Sequence, residues 1–201
     1  MKSRTKNKLI LLSVLCLLGI GVALLGKEGL KLRSAVRLVP ATYEQKDIIH
    51  NLSRFYAYDM SKPCGNEPGW AFPANGLYGA HNVDAYWKDP NRHPFIVEIN
   101  GELGGFVLVH KVGSAPNVEW NIAEFFIAGN FQRKGLGTQV ATELFKRFPG
   151  KTEIMILPCN TPALSFWRKV VKDYTKGQFT ESRKDIPNRN PKDTIILQFK
   201  S

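Results

Sequence analysis

The chain has 201 residues and a mass of 22.6 kDa, enough for one ordinary domain and a short appendage. Hydrophobic residues make up 43% of it and charged residues 22%, which excludes a wholly disordered or low-complexity protein. The three cysteines, Cys16, Cys64 and Cys159, are too few and too far apart for a disulfide scaffold or a zinc cluster. We therefore expect no metal, and the cysteines do not indicate the redox compartment.

The formal net charge is +11, and part of it is N-terminal. Four basic residues and no acidic one precede residue 26, so the remaining 24 basic residues exceed the 17 acidic ones by seven. Such a surplus favours an anionic partner, which could be a phosphorylated cofactor, a membrane surface or nucleic acid. The basic residues are spread along the chain instead of forming a stripe with aromatic residues, and this disfavours nucleic acid.

Residues 9–25 form a run of 17 residues without a charge. As a helix this run would be about 25 Å long, against a hydrocarbon core of about 30 Å. We favour an uncleaved membrane anchor over residues 1–26, followed by a linker over residues 27–35. A signal peptide with a cleavage site near Ala23 is the second interpretation, and a core helix is the third, disfavoured because the run has no polar face. Basic residues flank both ends, so the positive-inside rule does not orient the segment.

The first elements after this segment are a strand and a helix. A strand is predicted over Ala35–Val39, and Thr42-Tyr43-Glu44-Gln45 has the form of a capping box that begins a helix. Apolar residues at helical spacing follow as far as Tyr56. Residues 61–79 contain four glycines and three prolines, which predicts a long ordered loop or a broken helix pair.

The middle of the chain is predicted to form three strands. Pro94–Ile99 and Glu102–Val112 are joined by Asn100-Gly101, a strong hairpin signal, and Val118–Ile127 follows after a turn.

The last part alternates helices and strands. An amphipathic helix is predicted over Lys134–Phe148 and a buried strand over Thr152–Leu157. A second helix should be capped by Thr161, with Pro162 at its first position, and two strands near 178–183 and 194–199 should follow. The order predicts an α/β domain over residues 36–201. Its sheet should be mixed and mostly antiparallel, with six to seven strands, one parallel crossover and flanking helices.

The stretch from Phe125 to Gly137 carries the clearest functional pattern. A strand runs into the turn Gln132-Arg133-Lys134-Gly135-Leu136-Gly137, which opens directly into a helix. Backbone N–H groups at a helix start lack intrahelical partners, and the helix dipole favours an anion there. The alternative is a basic glycine turn that only caps the helix. The order of strand, Q-x-x-G-x-G turn and amphipathic helix favours a phosphate site, although the P-loop and dinucleotide fingerprints are absent.

This turn resembles the acyl-CoA pyrophosphate motif of the GNAT superfamily of N-acyltransferases. Two further segments are similar to that family: the hairpin Asn100–Phe106, and the stretch that contains Asn160, Ala163 and Phe166–Val170. The resemblance extends over residues 36–200. It implies the GNAT fold, acetyl-CoA as donor and an amine as acceptor. It also implies that the fourth and fifth strands splay apart so that the pantetheine arm lies between them.

The resemblance also assigns cofactor-binding residues. Gln132 belongs to the motif, and Asn160 would hydrogen-bond the cofactor arm. The backbone at Phe126 and Ile127 would contact pantetheine and polarise the thioester carbonyl. The remaining residues would bind the pyrophosphate through their backbone amides, and the Thr138 hydroxyl would add a donor; they are Arg133, Lys134, Gly135, Leu136, Gly137 and Thr138.

Glu124 is the candidate general base, since many relatives have a carboxylate near this place on the fourth strand. The alternative is an ordinary strand carboxylate that faces solvent. The family's usual general acid is a tyrosine, but Trp167 stands at that position, and an indole N–H cannot protonate a thiolate at neutral pH. Either solvent assists, or Tyr174 or Cys159 donates the proton. The four histidines have no motif context and are interpreted as surface or core residues; His81 and His93 are the better catalytic candidates among them, because they flank the aromatic loop.

We therefore predict a membrane-tethered, acetyl-CoA-dependent N-acetyltransferase. Because acetyl-CoA is cytosolic, the domain is expected on the cytoplasmic side of the membrane. Two other functions remain open: an inactive CoA-binding module on the same fold, and a basic module that binds a membrane surface or nucleic acid. Aromatic residues between positions 61 and 90 could hold a cationic acceptor or could form a satellite core.

Overall fold

A seven-stranded mixed sheet in the order β1-β2-β3-β4-β5-β7-β6 organises the computed structural model, which describes residues 35–187 and 193–201. The predicted anchor and nearly all of the predicted linker lie outside these residues. No helix in residues 35–187 or 193–201 is long and apolar enough to cross a bilayer. The strands are β1 (Val36–Pro40), β2 (Arg92–Ile99), β3 (Glu102–His110), β4 (Trp120–Ile127), β5 (Lys151–Ile156), β6 (Phe179–Asp185) and β7 (Asp193–Lys200).

Helices cover both faces of the sheet. They are α1 (Lys46–Cys64), α2 (Leu136–Arg147) and α3 (Thr161–Thr175), with short 3-10 turns at Tyr43–Gln45, Asp84–Trp87 and Gly129–Phe131. Successive strand side chains point to opposite faces. Phe95 and Val97 of β2 therefore pack in the core cluster of α2 and α3, whereas Ile96 packs in the cluster of α1. The predicted fold class and sheet are confirmed, with seven strands.

The β2–β3 hairpin turns at the predicted dipeptide. Asn100 and Gly101 have φ angles of 54° and 83°, the left-handed conformations that a tight hairpin turn needs. β2 and β3 pair antiparallel from this turn outwards. The hairpin prediction is confirmed.

Several predicted boundaries were wrong by one or two residues, among them the start of α2 at Leu136 instead of Lys134, and two further errors have a clear physical cause. Helix α1 continues to Cys64, beyond the predicted loop start at residue 61, because Met60 and Cys64 lie four residues apart on its buried face. At the second boundary, Asn160 and not Thr161 caps α3. The Asn160 Oδ1 accepts a hydrogen bond from the Ala163 N–H at 3.1 Å, which satisfies one of the open donors of the first turn.

Strands β4 and β5 are parallel but pair at only two positions, Trp120 with Thr152 and Asn121 with Glu153. At the second position both side chains are buried, and the Asn121 Nδ2 donates to the Glu153 Oε1 at 3.2 Å. The Glu153 carboxylate also accepts from the Ser114 N–H and from the Gln198 Nε2, at 2.9 and 2.7 Å. Beyond this point the strands diverge, which confirms the predicted splay.

Candidate active site

Three adjacent cavities lie where β4 and β5 diverge. The first, about 200 Å³, is lined by both strands, α1 and the following loop. The second, about 500 Å³, lies between the end of β4 and the N-terminal ends of α2 and α3. The third, about 290 Å³, lies between α1 and β4. Phe125 lines all three, so they form one region of the surface.

The second cavity has the features of an anion site. Residues Gln132, Arg133, Gly135, Gly137 and Thr138 line it, together with residues of α3. Gly135 is the N-cap of α2, and no side chain caps this helix end. The first-turn N–H groups and the positive end of the dipole are therefore open to a ligand.

Gly135 is a glycine for a reason that the sequence did not show. Its φ is 77°, so the backbone is left-handed at this residue, a conformation that itself favours glycine. A Cβ atom on Gly135 would meet nothing within 4 Å, which leaves space for a ligand over the backbone. Gly137 is helical, and its added Cβ would contact the Phe166 ring at 3.4 Å.

The other residues of the turn have different environments. The Gln132 Nε2 donates to the Ile127 carbonyl at 2.7 Å and so ties the turn to the end of β4. The Leu136 side chain is buried in the core, so only its backbone can reach a ligand. Lys134 is exposed and lines none of the three cavities. Arg133 is the basic side chain of this turn that lines the second cavity.

The remaining cofactor residues predicted from the resemblance lie around the gap. Ile127 lines the second and third cavities, and Phe126 lines the third. Asn160 lines the first and third, but its amide already has protein partners: the Ala163 N–H and the Met60 Sδ, which its Nδ2 contacts at 2.9 Å. The structure thus gives Asn160 a capping role at the rim of the gap.

Glu124 lines the first cavity, and 28% of its side chain is exposed. Its Oε1 lies 3.9 Å from the Nδ1 of His81. The pKa of Tyr86 lies above its ordinary value, chiefly because the phenol is buried and further because of the negative charge of Glu124. The Glu124 carboxylate lines a half-enclosed cavity between the strands and the loop. There it can accept a proton from a bound molecule.

Four residues of α1 and the loop after it line this cavity, and the sequence assigned none of them to the catalytic or cofactor-binding set. They are Tyr56, Met60, Trp70 and His81. Tyr56 and Met60 lie four residues apart on α1. This spacing is typical of a packed helix face, so it did not indicate that the two residues line the gap. Trp70 and His81 come from the loop after α1, whose aromatic content was the available signal.

The residues considered for the general acid lie in different surroundings. Trp167 is buried between the first two cavities, and its ring lies 4.9 Å from that of Phe125. Tyr174 lies near the end of α3 with its ring 4.9 Å from Phe145, and it lines none of the three cavities. Cys159 is disulfide-bonded to Cys64 and has no thiol proton to give, so this alternative was wrong.

Metal ligation has no support in residues 35–187 and 193–201. No group of three or more His, Cys, Asp or Glu side chains in these residues could hold a metal ion.

The comparisons with known proteins agree with this geometry. The sequence profile of the "Acetyltransferase (GNAT) family" matches residues 55–171. No curated protein sequence matches the chain.

Solved structures share the fold at low sequence identity. An acetyltransferase from Thermus thermophilus is 15% identical with a TM-score of 0.58, covering 83% of this chain and 97% of its own. A GNAT family acetyltransferase from Elizabethkingia anophelis with acetyl-CoA bound is 17% identical with a TM-score of 0.51, covering 83% and 98%. Arabidopsis thaliana Naa50, in complex with a bisubstrate analogue, is 11% identical with a TM-score of 0.52, covering 83% and 99%.

Proposed function

Because the chain belongs to the GNAT acetyltransferase family, we propose that it is an N-acetyltransferase that transfers the acetyl group of acetyl-CoA directly to a primary amine. One observation carries this proposal. An uncapped helix N-terminus, a gap between two parallel strands and a half-buried carboxylate follow one another across adjacent cavities. These are the three parts that such a transfer needs: an anion site, a channel for the thioester arm and a base.

The residues present fit acetyl-CoA, which supplies an activated thioester. The uncapped N–H groups of α2 and the Arg133 guanidinium would hold the pyrophosphate, and the open space above Gly135 allows close approach. The surplus of seven basic residues beyond residue 26 favours such an anion. Elizabethkingia anophelis acetyltransferase, which shares the fold, has acetyl-CoA bound, and this supports the same donor here.

Glu124 is the proposed base. An amine attacks a thioester only in its neutral form, so the ammonium proton must first be removed. The Glu124 carboxylate lies in the first cavity beside the gap, where it can accept that proton. The aromatic rings of Tyr56 and Trp70 line the same cavity and would attract the cationic form of the acceptor.

Trp167 cannot protonate the leaving thiolate, because an indole N–H is not acidic at neutral pH. Trp167 instead closes the space between the first two cavities and packs on Phe125. Its role in the proposal is to wall the gap on the side of α3, with solvent protonating the thiolate. This residue also motivates the second candidate function, a CoA-binding protein without turnover.

We further propose that residues 9–25 anchor the chain in a membrane, with the domain on the side where acetyl-CoA is found. Their 17-residue uncharged run supports the anchor, and the need for acetyl-CoA supports the cytoplasmic side.

Thiol release from acetyl-CoA in the presence of a panel of amines, amino sugars and peptides tests the proposed function. Release that requires both acetyl-CoA and one class of amine supports the transferase. Acetyl-CoA binding without thiol release for any acceptor supports the second candidate function instead.

A further inference from the structure

We infer that His81 is a positioning residue that takes the acceptor's proton from Glu124 and passes it to solvent. The inference rests on the proposed function and assigns a role to a loop residue outside the family motif. Three features of its surroundings support it: a fixed backbone, a fixed ring and a short distance to the carboxylate.

The backbone of His81 is held by a buried hydroxyl. Its N–H donates to the Ser53 Oγ at 2.9 Å, and that hydroxyl donates to the His50 carbonyl at 2.7 Å. Ser53 is wholly buried in α1, and both hydrogen bonds are partly buried. The loop is therefore fixed against α1 at the residue that reaches the cavity.

The imidazole is held by aromatic packing. Its ring meets the Tyr56 ring edge-on, with centroids 5.5 Å apart and an interplanar angle of 78°. The Tyr56 ring in turn packs edge-on against Phe106 and Phe126, at 6.0 and 6.2 Å. These contacts leave 34% of the His81 side chain exposed, which gives its ring a route to solvent.

The Nδ1 of His81 lies 3.9 Å from the Glu124 Oε1. This distance exceeds a hydrogen bond by about 1 Å, so the Glu124 carboxylate must approach the held ring by that amount for the transfer. Tyr56 on α1 faces the His81 ring. Tyr86 in the 84–87 turn, whose pKa is raised by burial, lies near enough to Glu124 for the carboxylate to raise that pKa further.

The proton balance of the step is complete. The acceptor ammonium gives one proton to the Glu124 carboxylate and becomes a neutral amine. The resulting carboxylic acid gives that proton to the Nδ1 of His81. The imidazolium then releases a proton from Nε2 to water or buffer, which restores both side chains for the next turnover.

The test compares His81→Gln, which removes the ring, with His81→Phe, which keeps the aromatic packing on Tyr56. His50→Gln is the matched control, because His50 lies on α1 and lines none of the three cavities. The full-length protein is assayed with acetyl-CoA and 2-phenylethylamine, or with the amine of the panel that is turned over fastest. We expect kcat to fall about 10-fold or more in both His81 variants, with the KM for acetyl-CoA unchanged.

Two readouts separate a proton-transfer role from a structural one. Added imidazole should restore part of the lost rate in His81→Gln, and the pH profile of kcat/KM should change shape in both His81 variants but not in His50→Gln. Combined with Glu124→Gln, the His81→Gln change should cost nothing further, because the two groups act in series.

An unchanged kcat, a fall that imidazole does not rescue, or additive losses in the double variant would each overturn the inference. If the wild-type protein turns over no amine at all, the proposed function fails first and this inference fails with it.

Discussion

Cys64, the last residue of α1, is disulfide-bonded to Cys159, which immediately precedes the cap residue of α3. The bridge closes a loop across 95 residues and joins two walls of the candidate site. One wall is α1 with Met60, and the other is the rim with Asn160, whose amide contacts the Met60 sulfur. The site is therefore braced from both sides at the gap.

Removing this bridge should destabilise the fold. We expect Cys159→Ser, alone or with Cys64→Ala, to lower the free energy of unfolding by about 2–5 kcal/mol, because the loop closed in the unfolded chain is long. Urea unfolding of the full-length protein measures the change, with Cys16→Ser as the control. Equal midpoints for the wild type and the variants, with the wild-type bridge shown intact by thiol alkylation, would contradict the expectation.

The proposed cytoplasmic placement of the domain makes a prediction in cells. Disulfides are rare in the cytosol, whereas acetyl-CoA is a cytosolic metabolite, so the bridge and the proposed donor point to different compartments. We expect a reporter fused after Ser201 to be active in the cytoplasm, with a fraction of the bridge reduced there. A reporter that is active only outside the cytoplasm would remove the donor from the domain and contradict the proposed placement.

Replacement of the proposed base should separate chemistry from binding. Glu124→Gln keeps the shape of the side chain but cannot accept the proton, so kcat should fall about 100-fold or more. Acetyl-CoA binding should persist, since the carboxylate lies in the first cavity and not in the second. Glu143→Gln on the exposed side of α2 is the matched control. A kcat within twofold of the wild type would return Glu124 to an ordinary strand position.

Two histidines should make stability fall on mild acidification. Burial, more than nearby positive charge, lowers the pKa of His93 and of His110 below the ordinary 6.5. Their neutral forms are favoured in the folded state, so this stability is present above the unfolded pKa and is lost as pH falls through the folded values. Urea midpoints measured between pH about 7.5 and 5 should therefore decline, and less so in a His93→Gln/His110→Gln double variant. Parallel pH dependences in the two proteins would show that neither histidine contributes.

Much of the fold could be predicted from local patterns. The hairpin at Asn100-Gly101 and the sheet follow from turn chemistry and periodicity, which are properties of neighbouring residues. The helix after the Gln132–Gly137 turn was predicted for the same reason, but it begins at Leu136 and not at the predicted Lys134. The end of α1 could not be predicted in this way. Its last turn contains Pro63 and is held by the burial of Cys64, a tertiary contact with Cys159.

The site could be predicted only where it depends on a local sequence motif. The Gln132–Gly137 turn is a local motif, and the structure places it at a cavity. Tyr56 lines the cavity of Glu124 from α1, and His81 lines it from a loop that is held by a hydrogen bond to Ser53. No spacing in the sequence encodes that approach, so Tyr56 was missed and His81 was noted only because it flanks the aromatic loop. Cys159 was misjudged because the partner that removes its thiol lies 95 residues away.

The central claim is that acetyl-CoA binds at the N-terminus of α2, over Gly135. Gly135→Glu adds bulk and negative charge there, and Gly177→Glu is its matched control. Both glycines have positive φ, 77° and 85°, and an added Cβ would meet nothing within 4 Å at either. Both variants therefore carry a similar backbone strain of about 1–2 kcal/mol, but Gly177 lies after α3 and lines none of the three cavities.

The most direct measurement is the acetyl-CoA-dependent stabilisation of these proteins in thermal unfolding. At about 100 times its dissociation constant, acetyl-CoA should stabilise the wild type and Gly177→Glu by about 2.7 kcal/mol, and Gly135→Glu by almost nothing. An equal response in both variants would place the cofactor elsewhere, and the absence of any response in the wild type would contradict the account.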